Sequence, residues 1–554
     1  MTQLPSWIRQ VLCLVGLAGL GATQAATYTV PANTYFLDVV VSGAGGGGGG
    51  FDASSVGGAG GSGAVITARI AVTPGQIVTY FTGTGGVGGV SPGSYSACPN
   101  NSGGAGGTAA SAGNGGKGGD ESCSSGWSGG GGGGGSSSVL TVGTTVLQAG
   151  GGGGGGGGSN GRAPTAATAG TAGGSSITSS STCATAVNGS TGLSATGVDG
   201  GGGGGGGGGY SAGSGGTAGK DGSLNATGGG AGGSCSFAGS ATLINLTIGT
   251  TGAAGGTGST NATSGGNAGT GSSGSVTITP TPTLVLIKQW SGLASTDTSD
   301  TTLLQAVSGG NTLGTLAATS PTLTTGSLIA LTSGTAVTVS ETLGVGNTLL
   351  YSTNIACTDT NGTATGNTVT LSASNLTTLT IPATSVKTVS NTPATYRCTF
   401  TNQRRPSVQL RKISQGGIGT FAFTLTGLSN TTDQVQTTTA GTVAASAQRN
   451  WGQIGTAATV TETPVTGYVT SSTCSDSNSA VTGNTTAITS SSNVTPLTTA
   501  AMVAGATWVC TVTNAPALTL TKSVNIATLR ALNNPASTAA VLLSATPALP
   551  WSIP

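Results

Sequence analysis

The chain has 554 residues, of which 107 are glycine, 5% are charged and none is histidine, with a formal net charge of +2. Lacking histidine, it lacks the commonest general base at neutral pH, any Ser-His-Asp triad and any His/Cys zinc site. With 15 basic residues against 13 acidic ones it carries no basic stripe to neutralise phosphates, so the expectation is a protein that is not an enzyme, holds no cofactor or metal, and binds no nucleotide or nucleic acid.

Residues 1–25 read as a secretory signal peptide. Arg9 supplies the basic start, Val11–Gly21 the apolar stretch and Ala22–Ala25 a small-residue cleavage site, leaving Ala26 first. The apolar stretch is too short to cross a bilayer. Of nine cysteines, Cys13 leaves with this peptide. The even remainder suits disulfides and a secreted or cell-surface location.

Residues 27–280 form a glycine-rich region with unbroken runs at 45–50, 129–135, 150–158 and 200–209. Glycine has nothing to bury and loses the most entropy on ordering, so composition alone favours disorder. Strand patterns fence the runs, however, and argue for an ordered unit. They are Tyr28–Pro31, Leu37–Val41, a hairpin pattern of Ala64–Val72 and Gln76–Phe81 across Thr73–Gly75, and a closing Gly274–Thr279. Proximity along the chain alone matches Cys98 with Cys123 and Cys183 with Cys235, and leaves the pairing of these four open. Matches to G-x-G-x-x-G arise here by chance outside any strand–turn–helix context, and Gly118 after Lys117 breaks the phosphate-loop pattern.

The Val30-Pro31 pair leading into Val39–Gly46, the Val72–Gln76 turn and Leu147–Gly151 resemble the glycine-rich domains of phage tail-fibre tips and bacterial surface proteins. That resemblance implies a bundle of polyproline-II-like glycine helices framed by β-strands. At the rise of such a helix, nine residues would span about 28 Å.

After a short stiff junction at Thr279–Thr283, the chain repeats one skeleton twice. The first copy, 283–405, has Leu284–Lys288, Val337–Glu341, Cys357 and Tyr396–Asn402. The second, 406–515, has Val408–Lys412, Ala458–Glu462, Cys474 and Trp508–Asn514. Residues two apart on a strand share a face. Lys288 therefore falls with Leu284 and Leu286, Glu341 with Val337 and Val339, and Asn402 with Cys398 and Phe400. Lys412, Glu462 and Asn514 repeat the arrangement. Each ends an inward apolar face, where an unpaired charge is expensive. Cys357 with Cys398 and Cys474 with Cys510 recur at equivalent places and are expected to pair. Residues 516–554 open like a third repeat, with Lys522 on the Leu518/Leu520 face, and read as incomplete.

These ordered positions, with Glu462-Thr-Pro-Val-Thr-Gly-Tyr468, resemble the prealbumin-like SpaA/CnaB-type β-sandwich repeats of bacterial surface proteins and pilins. Glu341-Thr-Leu-Gly-Val-Gly346 lacks the proline of that motif. The resemblance implies an isopeptide bond joining Lys412 to Asn514 with help from Glu462, and Lys288 to Asn402 with help from Glu341. The chemistry is self-consistent. Burial deprotonates the amine, a protonated carboxyl polarises the carboxamide, and ammonia leaves. The alternative is a buried Lys–Glu ion pair beside a hydrogen-bonding Asn.

The expected fold is all-β plus glycine-rich: a framed glycine-helix bundle, then tandem prealbumin/Ig-like sandwiches. The expected function is a secreted structural protein of a cell surface or fibre. The alternative is an adhesin whose glycine-rich domain binds a host or neighbouring-cell glycan or protein; a weaker one is ice binding.

Overall fold

The structure is a computed structural model. It describes residues 25–517 apart from 53–54, 92–101, 110–111, 122–128, 160–166, 174–177, 180–182, 184–185, 197–199, 221–223, 225, 238–242, 261–267 and 491–495, together with 551–552. The signal-peptide reading, the Cys98–Cys123 pairing and Lys522 fall outside the described residues. Elements are overwhelmingly β, and among the described residues no helix is long and apolar enough to cross a membrane.

Two sheets open the chain. One orders Ala26–Thr29, Ile77–Phe81, Ser138–Val142, Thr145–Ala149, Cys235–Phe237 and Thr178–Ser179; the other orders Ser275–Pro280, Phe36–Ser42, Val65–Ala71 and Leu243–Gly249. Their inward faces share one core that includes Leu37, Val39, Ile66, Ile70, Val78, Leu140 and Leu147. The hairpin expected across Thr73–Gly75 does not form. Val65–Ala71 pairs with Phe36–Ser42 and Leu243–Gly249, whereas Ile77–Phe81 pairs with Ala26–Thr29 and Ser138–Val142. The turn, with Gly75 at φ +81°, ties to Val30 through Gly75 N–H to Val30 O and Val30 N–H to Gln76 O. The two strands thus lie in different sheets, each sending side chains such as Ile66, Ile70 and Val78 into the shared core.

The strands run on into the glycine segments, whose backbones hydrogen-bond laterally. Gly152, Gly155 and Gly158 donate to Ala44, Gly47 and Gly50; Gly153 and Gly156 donate to Thr171 and Thr168; Gly154 and Gly157 donate to Gly205 and Gly202. The same neighbour therefore returns every third residue. Carbonyls of this run accept from three further segments, through Gly132, Gly58 and Gly229 among others. A Cβ at Gly154 would stand 2.0 Å from the Gly132 oxygen, so only glycine fits. Segments of the form G-G-x sit differently, with Ser102, Ala105 and Thr108 exposed at every third place.

Two sandwiches follow. In the first, Thr283–Ser291 pairs in parallel with Thr395–Arg404, which pairs antiparallel with Tyr351–Asp359. The facing sheet orders Asn311–Thr319, Thr301–Ser308, Val337–Leu343 and Thr378–Ile381. The second repeats the plan, with Ser407–Ser414 parallel to Thr507–Pro516 beside Tyr468–Asp476. It faces Thr432–Thr437, Gly417–Thr426, Thr459–Glu462 and Leu497–Thr498. Separate cores fill them, around Leu284, Leu286 and Phe400, and around Leu410, Phe423 and Val512.

Among the described residues three disulfides are present: Cys183–Cys235, Cys357–Cys398 and Cys474–Cys510. The last two join residues directly opposite on neighbouring strands of one sheet, Cα atoms 4.0 Å apart. The junction before the first sandwich is buried at Thr281 and Thr283. It is held by Thr281 N–H to Phe36 O and Leu331 N–H to Pro282 O.

Candidate functional site: two buried lysine–glutamate–asparagine pockets

Each sandwich places a lysine on its first strand and an asparagine two positions further along the parallel last strand. Lys288 stands opposite Phe400 and Asn402 opposite Trp290; Lys412 stands opposite Val512 and Asn514 opposite Ser414. The glutamate comes from the facing sheet. All six side chains are buried: Lys288, Asn402, Lys412 and Asn514 are 0% exposed, Glu341 4% and Glu462 2%.

One carboxylate oxygen serves both partners. In the first pocket Glu341 Oε1 lies 2.8 Å from Lys288 Nζ and accepts from Asn402 Nδ2 at 2.9 Å. In the second, Glu462 Oε1 lies 2.6 Å from Lys412 Nζ and accepts from Asn514 Nδ2 at 3.2 Å. The structure thus brings together both triads singled out in the sequence.

Each ammonium is roofed by a ring, 4.5 Å from its centroid, but from opposite sheets. Trp290 covers Lys288 from the lysine strand, and Phe421 covers Lys412 from the facing sheet. At the place matching Trp290 stands Ser414; at the place matching Phe421 stands Thr302, which donates to Glu341 Oε1 at 2.8 Å. The exchange keeps both amines dry.

Burial pulls Lys288 and Lys412 down to about 8, with the paired glutamate opposing the shift. Burial also pushes the Glu462 carboxyl up, against the Lys412 and Asn514 hydrogen bonds. In the second pocket both effects favour the neutral amine and neutral acid over the ion pair. A consequence is testable in Asn514→Ala, where the lysine must stay free. Folded Lys412 loses its proton near pH 8, the unfolded lysine near its ordinary 10.5. Between these values the unfolded chain binds more protons, so stability rises with pH. The denaturant midpoint of Asn514→Ala should climb across that window, and that of Asn514→Ala/Lys412→Met should not.

Two repeated features escaped the sequence reading. Tyr351 and Tyr468 occupy matching places, opposite Arg404 and Pro516, each six residues before its cysteine. The first copy therefore keeps the tyrosine of the glutamate motif behind a longer loop, 342–350 against 463–467. Gly346 and Gly467, at φ +85° and +84°, mark the same turn. Tyr351 donates to Asp300 and packs edge-on to Trp290 at 5.3 Å. The second feature is an aspartate-centred loop after each cysteine. Asp359 accepts from Asn361 N–H, Thr395 N–H, Thr365 and Asn367; Asp476 accepts from Asn478 N–H, Thr507 N–H, Thr482 and Asn484. The spacing D-x-N-x-x-x-T-G-N in both copies was the available signal. With its oxygens so occupied, each aspartate is a structural cap.

Residues 408–516 match a SpaA-type family described as a prealbumin-like fold domain. No curated protein matches the chain significantly. Solved structures similar to it include the major pilin T-13 of Streptococcus pyogenes, at 13% identity over 43% of this chain and 97% of that one, TM-score 0.17. The pilus adhesin SpaC of Lactobacillus rhamnosus GG in an open conformation matches at 12% over 49% and 48%, TM-score 0.19. The shaft pilin SpaA of the same organism matches at 12% over 44% and 100%, TM-score 0.15. Likenesses this loose carry no functional weight.

Proposed function

We propose that this chain, whose residues 408–516 are a SpaA-type prealbumin-like domain, is a secreted, non-enzymatic structural protein of a cell surface or fibre. In this reading residues 27–280 are an ordered glycine-rich tip and the sandwiches at 283–405 and 406–515 are a stalk. The return of each hydrogen-bonding neighbour every third residue supports reading the tip as a bundle of polyproline-II-like helices, which have three residues per turn.

Each sandwich closes itself by an intramolecular isopeptide bond. The neutral Lys Nζ attacks the Asn carboxamide carbon, the bond to the amide nitrogen breaks, and ammonia leaves with the proton relayed through the glutamate. One C–N bond forms as one breaks, so no co-reactant is needed. The reaction happens once per sandwich and is maturation, not turnover. The observation that carries the reading is the recurrence of one buried triad at the same register in two sandwiches whose surrounding side chains differ. The intact mass of the full chain decides it. Each bond should lower the mass by one ammonia, and tryptic mapping should yield branched peptides joining Lys412 to Asn514 and Lys288 to Asn402. Linear peptides throughout, from a folded chain, would leave buried ion pairs in place of the bonds.

A further inference from the structure

The two carboxamides differ at their carbonyl oxygens. Asn514 Oδ1 accepts a hydrogen bond from Thr470 Oγ1 at 3.0 Å, while Asn402 Oδ1 has no hydrogen-bond partner. Thr470 stands opposite Asn514 on the neighbouring antiparallel strand, and Thr353 holds the same register opposite Asn402. In the second pocket, therefore, each amide atom has a matched group. The carboxylate faces the nitrogen that must leave, and a hydroxyl faces the oxygen that must gain charge.

We propose that Thr470 is a catalytic residue of the second pocket, donating to the Asn514 carbonyl oxygen as Lys412 adds to its carbon. This rests on the isopeptide reading and deepens it. Attack turns the carbonyl into a tetrahedral oxyanion, and a donor already aimed at the oxygen of a fully buried carboxamide stabilises the charge as it forms. When ammonia leaves, the carbonyl re-forms and the threonine keeps its proton throughout. Glu462 is then free to act on the nitrogen side, taking a proton from the attacking amine and delivering it to the departing one. The first pocket, with the same triad and no donor on Asn402 Oδ1, closes more slowly.

The test follows branched-peptide formation in the newly synthesised full chain, produced in an oxidising cell-free system and sampled over time. Thr470→Val should slow the Lys412–Asn514 branch on the order of a hundredfold, the usual cost of losing one such donor. Thr470→Ser should react near the wild-type rate, and the Lys288–Asn402 branch in the same molecules should not change. Unchanged denaturant stability of Thr470→Val in the unreactive Glu462→Ala background shows that the loss is of rate and not of fold. If valine prevents folding, seen as failure of the Cys474–Cys510 disulfide to form, Thr470→Ala carries the same expectation. A Lys412–Asn514 branch appearing at the wild-type rate in the folded variant overturns the role of Thr470 alone. A wild-type chain with no branch at either pocket overturns the isopeptide reading with it.

Discussion

Glu462→Ala should give a folded chain that is heavier than the corrected wild type by one ammonia and lacks the Lys412–Asn514 branched peptide. The carboxylate touches both reacting partners, through one oxygen at 2.6 Å and 3.2 Å. Removing it strands the amine from its proton acceptor and the leaving nitrogen from its proton donor. The Leu410–Phe423–Val512 core and the Cys474–Cys510 bond are untouched, so the sandwich still folds. Its stability should fall by about 4 kcal/mol from the lost loop closure, and further because Lys412 is now buried without a partner. Glu462→Gln separates these effects, since it keeps the volume and a polar neighbour but cannot relay a proton. Full mass loss in either folded variant would remove the glutamate from the mechanism. Thermal unfolding and intact mass, measured on the same sample, read both.

Gly154→Ala should strongly destabilise the glycine-rich half. Its Cβ would lie 2.0 Å from the Gly132 oxygen and 2.6 Å from the Gly132 carbon, distances that no side-chain rotation relieves because both atoms are backbone. The run must shift, and its lateral hydrogen bonds to Gly205 and from Gly229 shift with it. A cost of about 3 kcal/mol is the ordinary scale for forced overpacking, and here it falls on a segment bonded on every side. Ala59→Ser, at an exposed place in a G-G-x segment, is the matched control and should change nothing measurable. Protease digestion and thermal unfolding of the full chain distinguish them. Equal behaviour of the two variants would mean that the lateral packing contributes little.

Alternation was enough to read the inward faces of the triads, because a strand's period of two is a local property. It could not show that Glu341 and Glu462 face the lysines from the other sheet, since alternation gives a face and never a partner. The Val65–Ala71 and Ile77–Phe81 pair failed for the same reason. A tight turn between two strands permits a hairpin, but the core decided otherwise. The rings over the lysines were illegible because Trp290 and Phe421 come from non-equivalent strands, and only three dimensions place them at one spot. By contrast, Tyr351 was legible. Its spacing to Cys357 equals that of Tyr468 to Cys474, and counting back from the cysteine would have found it. The glycine segments also carried an unused signal. Where all three residues of a turn are glycine, as in 150–158, the segment is enclosed; where every third residue has a side chain, as in 102–108, it lies at the surface.

The parallel pairing of first and last strands has a mechanical corollary. The chain enters each sandwich at one end of this pair and leaves at the other, so tension applied along the chain pulls the two strands past one another. The whole ladder from Ser407–Thr507 to Ser414–Asn514 is then loaded in shear, its bonds strained together, not unzipped singly. With Lys412 joined to Asn514, the load would cross between the strands through a covalent bond, and residues 413–513 would lie outside its path. Stretching such a molecule would leave its sandwiches closed.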